Sequence, residues 1–141
     1  MRVKDVMTED PQVVRPQTSL KEVAETMKSL DVGVVPVCEN DRLVGMITDR
    51  DIVVRAEAEG RDPSATVEQA MTPGVTFCFE EDDIDSAVRL MEEKQIRRLP
   101  VLNAQHRLVG IVSLGDLAVS GDQRTTGEVL ERVSEPAKPN R

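Results

Sequence analysis

The chain has 141 residues, 39% hydrophobic and 31% charged, so it can bury a core and is too apolar for a disordered protein. A formal net charge of -8 and the absence of Trp and Tyr argue against binding a nucleic-acid backbone or stacking on single-stranded bases. Residues 1–11 hold no secretory signal core and no apolar run is long enough to span a bilayer, which predicts a cytoplasmic protein.

The first predicted elements are a short strand and a helix. The strand is expected at residues 12–15. Ser19 followed by Glu22 has the spacing of a helix-starting capping box. The next apolar residues recur at helical spacing and predict one stripe facing a sheet. They are Leu20, Val23, Ala24 and Met27.

A hairpin and a second helix are predicted next. Residues 34–38 and 43–47 are β-branched, apolar runs separated by a polar turn. The second helix is expected to begin near Thr48 and to end at Gly60, because glycine suits a left-handed residue after a helix.

The same series of elements then returns. VKDVMT at residues 3–8 reappears as VEQAMT at 67–72, and RLVGMIT at 42–48 reappears as RLVGIVS at 107–113. A strand is expected at residues 75–79. The next helix, opened by Asp82 or Asp83, repeats the apolar stripe as Ile84, Ala87, Val88 and Met91. The last repeated helix is expected from Ser113 to Gly121.

This repetition predicts an α/β (α+β) protein of two β-α-β-β-α units. The first repeat is residues 1–60, the linker 61–66 and the second repeat 67–121. Residues 122–141 are expected to be a tail, with a short helix at 127–135. A single copy would bury too little surface to be stable, so we expect the copies to pack about a pseudo-two-fold axis.

The order of these motifs resembles the CBS domain family in its tandem form, the Bateman module. The resemblance rests on DVMT at residues 5–8, the Pro-Val strands at 36–37 and 100–101, and GMITDRD at 45–51 with GIVSLGD at 110–116. It implies an inter-repeat cleft that binds AMP first of all, or ADP, ATP, NAD or S-adenosylmethionine. It also implies a homodimeric disc that signals to an unknown downstream protein.

Thr48 with Asp51, and Ser113 with Asp116, are the central candidate residues. A hydroxyl three residues before a carboxylate is a helix cap, and that structural role explains the pattern by itself. The ligand-binding interpretation adds that the carboxylate accepts both hydrogen bonds of a ribose diol. The same side chain can serve both purposes.

In the family each cleft takes residues from both repeats, which gives two predicted sites. The favoured site would use Thr8, Gln12, Val13, Val32, Gly33, Arg98, Ser113, Gly115 and Asp116. The second would use Thr72, Thr76, Ile96, Arg97, Thr48, Arg50 and Asp51. Gly33 leaves room for an adenine ring, and the resemblance implies that Arg98 faces a phosphate. Arg97 and Arg98 read equally well as a solvated pair at a strand end.

Other candidates favour structural roles. Cys38 and Cys78 are expected to be free thiols, and His106 a solvated turn residue. The acidic run at residues 80–83 suits a helix start better than a cation site. No nucleophile with a base, metal cluster or P-loop is found, so we expect neither an enzyme, a catalytic cofactor nor a bound metal. The alternative function is a ligand-independent dimerisation or protein-interaction module.

Overall fold

The computed structural model describes residues 1–120, which form two compact units. One unit is Pro11–Val75, and the other joins Met1–Asp10 to the chain from Thr76 onward. The opening segment of each sequence repeat therefore folds with the rest of the other repeat. We call these segments the first leader (residues 1–10) and the second leader (residues 67–75). The predicted helix at 127–135 and its neighbours from residue 121 lie outside the described residues.

The chain alternates short helices and strands. In order, the elements are a 3-10 turn (Val3–Asp5), β1 (Thr8–Glu9), α1 (Leu20–Leu30), β2 (Val34–Glu39), β3 (Arg42–Thr48), α2 (Asp49–Asp51), a π-helix (Ile52–Glu57), α3 (Val67–Ala70), β4 (Thr72–Pro73), β5 (Cys78–Phe79), α4 (Ile84–Lys94), β6 (Arg98–Leu102), β7 (Leu108–Ser113) and α5 (Leu114–Ser120). This confirms the mixed α/β class.

The two predicted hairpins are present, as β2–β3 and β6–β7. In the Pro11–Val75 unit, β3 pairs antiparallel with both β2 and β4. In the other unit the strand order is β1-β7-β6-β5, in which β1 and β6 are antiparallel to β7 and β5 is parallel to β6. Each hairpin has a register shift at the same place, after Val37 and after Val101.

The predicted helix starts are present, but one residue of the predicted apolar stripe is exposed. The Ser19 hydroxyl oxygen accepts a hydrogen bond from the Glu22 amide at 3.1 Å and starts α1. Leu20, Val23 and Met27 are buried, whereas Ala24 is exposed, so its place in the predicted stripe is wrong. Ala24 is small enough to lie at the edge of the stripe at little cost. The counterpart stripe of α4 is buried throughout, at Ile84, Ala87, Val88 and Met91.

Three predicted elements need correction. The strand at residues 12–15 is wrong, because only Val14 bridges to Val37 and the chain turns at residues 15–18. The strand at 75–79 is shortened to Cys78–Phe79, because only these two residues pair with β6. The helix from Thr48 is α-helical for three residues only and continues as the π-helix, although Gly60 does take the predicted left-handed φ, 73°.

The two leaders are anchored by buried side chains. Val3 lies in the core that contains Met91 and Leu117, and Val67 and Ala70 lie in the core that contains Leu20. The predicted linker is hydrogen-bonded to the start of α1, because the Leu20 amide donates to the Ala65 carbonyl at 2.8 Å. The leaders are therefore integral parts of the units in which they lie.

Candidate ligand-binding site

At the junction of β7 and α5, Ser113 and Asp116 each accept a hydrogen bond from the backbone amide of the other. The Ser113 amide donates to Oδ2 of Asp116 at 2.9 Å, and the Asp116 amide donates to Oγ of Ser113 at 3.0 Å. Both residues are half-buried. The pairing fixes the orientation of the carboxylate through one oxygen, which is the capping role expected from the sequence.

Other predicted residues lie at the same end of this sheet. Arg98 begins β6 directly opposite Ser113, and the Leu114 amide donates to the Arg97 carbonyl at 2.8 Å. Thr8 pairs with Ile111, two residues before Ser113. The hydroxyl of Thr8 and the side chain of Arg98 are exposed. The remaining predicted residues of this unit are the exposed Gly115 and the half-buried Thr76 and Ile96.

The first repeat contains the same reciprocal hydroxyl–carboxylate pair, which we call a box, and its carboxylate has additional partners. The Thr48 amide donates to Oδ2 of Asp51 at 3.0 Å, and the Asp51 amide donates to Oγ1 of Thr48 at 3.0 Å. The second oxygen, Oδ1, accepts a hydrogen bond from the Thr72 hydroxyl at 3.5 Å and lies 3.8 Å from Nε of Arg55. Asp51 is only 9% exposed.

The Asp49 carboxylate lies beside Gly33. The Gly33 carbonyl accepts a hydrogen bond from the Asp49 amide at 3.0 Å, and a methyl group added at Gly33 would lie 3.0 Å from Oδ2 of Asp49. A carboxylate therefore borders the space predicted for an adenine ring. Of the other predicted residues in this unit, Gln12, Val13 and Arg50 are exposed and Val32 is half-buried.

The structure thus gathers the predicted residues in two groups, one in each compact unit. Thr8, Arg98, Ser113, Gly115 and Asp116 of the favoured site lie in one unit, and Gln12, Val13, Val32 and Gly33 in the other. For the second site, Thr48, Arg50, Asp51 and Thr72 lie together, whereas Thr76, Ile96 and Arg97 belong to the other unit. The sequence reasoning missed Asp49 and Arg55. The spacing of four residues between Asp51 and Arg55 is the signal that could have identified the ion pair.

The two cysteines and the histidine lie in surroundings that favour structural roles. Cys38 and Cys78 are free and buried, and burial raises the pKa of their thiols to about 11 and about 12. These thiols therefore stay protonated near neutral pH and lack the thiolate that a nucleophile needs. His106 is exposed in a turn, as expected, with its ring 5.2 Å edge-on from that of Phe79.

The acidic residues before α4 contact the first leader through an ion pair. Lys4 donates to Glu81 at 2.8 Å, and Asp82 accepts a hydrogen bond from the Phe79 amide at 2.9 Å. Within residues 1–120, no three His, Cys, Asp or Glu side chains are arranged to hold a metal ion. No helix in that part of the chain combines the length and apolarity needed to cross a membrane.

Comparison with known proteins identifies the duplication. The family model of the CBS domain matches residues 3–57 and 67–120. Hypoxic response protein 1 of Mycobacterium tuberculosis is 38% identical over 135 residues, 94% of each chain. The crystal structure of Hypoxic Response Protein I with two coordinated zinc ions has a TM-score of 0.79 at 36% identity, covering 86% of this chain and 100% of that one.

Two similar structures contain adenosine compounds. CBSX2 in complex with AMP has a TM-score of 0.75 and 29% identity, covering 84% of this chain and 94% of that chain. The domain pair of protein MJ0100 in complex with 5'-methylthioadenosine and S-adenosyl-L-methionine has a TM-score of 0.74 and 28% identity, with the same coverage of 84% and 94%.

Proposed function

The chain belongs to the CBS domain family, and on that premise we propose that it is a regulatory protein that binds an adenosine-containing ligand. AMP is the first candidate, followed by ADP, ATP, NAD and S-adenosylmethionine. The ligand lies in the cleft between the two repeats. The complexes of CBSX2 with AMP and of the MJ0100 pair with S-adenosyl-L-methionine support this class of ligand.

The observation that carries the proposal is the box formed by Ser113 and Asp116. Only Oδ2 of the carboxylate is used in the box, so Oδ1 serves as the acceptor for the ribose hydroxyls. The Ser113 oxygen accepts the Asp116 amide, which leaves the hydroxyl proton for a ligand phosphate. An ionised acceptor makes a stronger hydrogen bond than a neutral one, which favours a ribose at this position.

Arg98 resolves the apparent conflict between an anionic ligand and a chain of net charge -8. A long-range repulsion is screened over about 10 Å at ordinary salt concentrations. Arg98 is paired with Ser113 in the sheet, so we infer that its guanidinium acts at shorter range. We therefore assign phosphate binding to Arg98 together with the hydroxyls of Ser113 and Thr8.

The decisive experiment is calorimetric titration of nucleotide-free protein with AMP, repeated with ATP, NAD and S-adenosylmethionine. Asp116→Asn keeps the size of the side chain and removes its charge, and should weaken binding by about 10- to 100-fold. Asp85→Asn is the matched control, because Asp85 makes the same charge change in the first turn of α4 at an exposed position. Equal affinities for the two variants would contradict the assigned role of Asp116.

Signalling requires that the ligand bind two arrangements of the protein with unequal affinity, and that a downstream protein distinguish them. We propose a homodimer as the signalling form. The π-helix exposes Val53 and Val54, which are 61% and 50% accessible and suit a contact between copies. Sedimentation should show a dimer for the wild type and a monomer for Val54→Glu, and a monomeric wild type would refute this form.

The ligand-independent interaction module is the second candidate. It is favoured by the fact that both hydroxyl–carboxylate boxes already complete helix caps without a ligand. No heat with any of the four ligands, together with an intact dimer, would select this function instead.

A further inference from the structure

We propose that Arg55 blocks the ligand site of the first repeat, so that the chain binds one ligand at the Asp116 site and a second only when Arg55 is displaced. This inference rests on the proposed function and deepens it, because it assigns the ligand stoichiometry to one side chain. Arg55 was not among the residues expected from the sequence to contribute to a site.

The contacts of Asp51 carry the argument. Oδ2 is held by the Thr48 amide at 3.0 Å. Oδ1, the oxygen available to a ribose, has the Thr72 hydroxyl at 3.5 Å and Nε of Arg55 at 3.8 Å. The same guanidinium donates to the Met71 carbonyl at 3.5 Å. Arg55 thus spans from the carboxylate to the leader segment that contains Met71 and Thr72.

A ribose hydroxyl must compete with these groups. Its hydrogen bond to Oδ1 would replace an internal partner, so its formation gains less than it would at an unoccupied oxygen. Arg55 is about half exposed, at 49% of its side chain, which means that the ion pair is weak enough to open. The arrangement is therefore a reversible block.

Within residues 1–120, the second repeat lacks the elements of this block. The residue four positions after Asp116 is Ser120, which has no cationic side chain. Thr8 is the counterpart of Thr72, and within the described residues its hydroxyl makes no hydrogen bond to Asp116.

The backbone also differs between the two repeats. Arg55 lies on the π-helix, where the Ala58 amide donates to the Val53 carbonyl five residues earlier at 2.9 Å, whereas α5 is α-helical. Wide turns of this kind are uncommon and often accompany functional residues.

The test is the number of ligands bound per chain, measured by titration of nucleotide-free full-length protein with AMP. We expect one for the wild type and two for Arg55→Gln, with the added event up to about fivefold tighter than any second event in the wild type, because an exposed ion pair contributes about 0.2–1 kcal/mol. Arg55→Lys retains a cation and should stay near one. Arg61→Gln is the matched control, because Arg61 is an exposed arginine that pairs only with Glu59 among the ion pairs found, at 3.5 Å.

A further pair of variants assigns the added event to its site. Arg55→Gln with Asp51→Asn should return to one ligand, and Arg55→Gln with Asp116→Asn should retain the event at the first repeat. Two ligands on the wild type, one on Arg55→Gln, or weaker binding by Arg55→Gln would each overturn the block; the last result would make Arg55 a ligand contact. No binding by any variant would instead refute the proposed function.

Discussion

Replacing Gly110 by alanine tests how closely the first leader approaches β7. A methyl group at this position would lie 2.5 Å from Sδ of Met7 and 2.8 Å from the carbonyl oxygen of Thr8. The thioether is flexible and can move away. The carbonyl belongs to β1, which is paired to β7 through Thr8 with Ile111 and Glu9 with Gly110. The strand must therefore shift as a whole.

The magnitude follows from that distance. Ordinary contacts of a methyl carbon begin at 3.4 Å, so β1 must withdraw by about 0.6 Å. Overpacking of this kind costs about 1–3 kcal/mol. Alanine also restricts the unfolded chain, which returns about 0.4–1 kcal/mol. We expect the free energy of unfolding of Gly110→Ala to fall by about 1–2 kcal/mol.

Urea unfolding of the full chain, followed by circular dichroism, measures this difference. Gly115→Ala is the control: the nearest atom to its added methyl is Oγ of Ser113 at 3.6 Å, and alanine favours the helix by up to about 1 kcal/mol. Gly45→Ala should fall between the two, because its methyl would lie 3.1 Å from the Thr72 carbonyl. A Gly110→Ala protein as stable as Gly115→Ala would refute the close approach.

Three further outcomes are expected. Burial raises the pKa of Cys38 to about 11 and that of Cys78 to about 12, so these thiols ionise more easily in the unfolded chain. The free energy of unfolding should therefore not depend on them below about pH 8.5 and should fall above about pH 9, by up to about 1.4 kcal/mol per pH unit for each thiol. Urea unfolding at about pH 8 and 10 measures this fall, and the Cys→Ala variants should show a smaller one. Ser113→Ala removes the cap of α5 and should cost about 1 kcal/mol without ligand, again by urea unfolding; an unchanged midpoint would contradict the cap. Val67→Ala, at a fully buried position, should cost about 2 kcal/mol, while Val119→Ala, at an exposed one, should change the midpoint little; equal midpoints would show that the second leader is not held by its core.

Elements that depend on nearby residues were predictable. The helix that starts at Ser19, the two hairpins and the left-handed Gly60 depend on capping, alternation of apolar residues and turn chemistry, and the structure confirms them. The boxes at Thr48 and Ser113 were likewise expected as caps. The capping residues are three positions apart, and the paired residues of the hairpins are at most 15 positions apart.

Features that depend on distant residues were not predictable. The periodicity around residues 52–57 does not distinguish a π-helix from an α-helix, because both bury one face. The strand at 12–15 has β-forming valines, yet Val14 alone bridges to the sheet. The exchange of leaders between units leaves no mark in the repeat pattern, since each leader has the same sequence motif wherever it packs. The predicted site residues remain predictions.

The exchange of leaders also determines the order in which the units can be completed during translation. The unit of Pro11–Val75 is continuous in sequence, so all of its strands exist once residue 75 has left the ribosome. Thr8 pairs with Ile111, about 100 residues later. At about 5–20 residues per second, β1 waits roughly 5–20 s for its partner strand. β1 therefore pairs late, and the unit of Pro11–Val75 can be complete before the two segments of the other unit have joined.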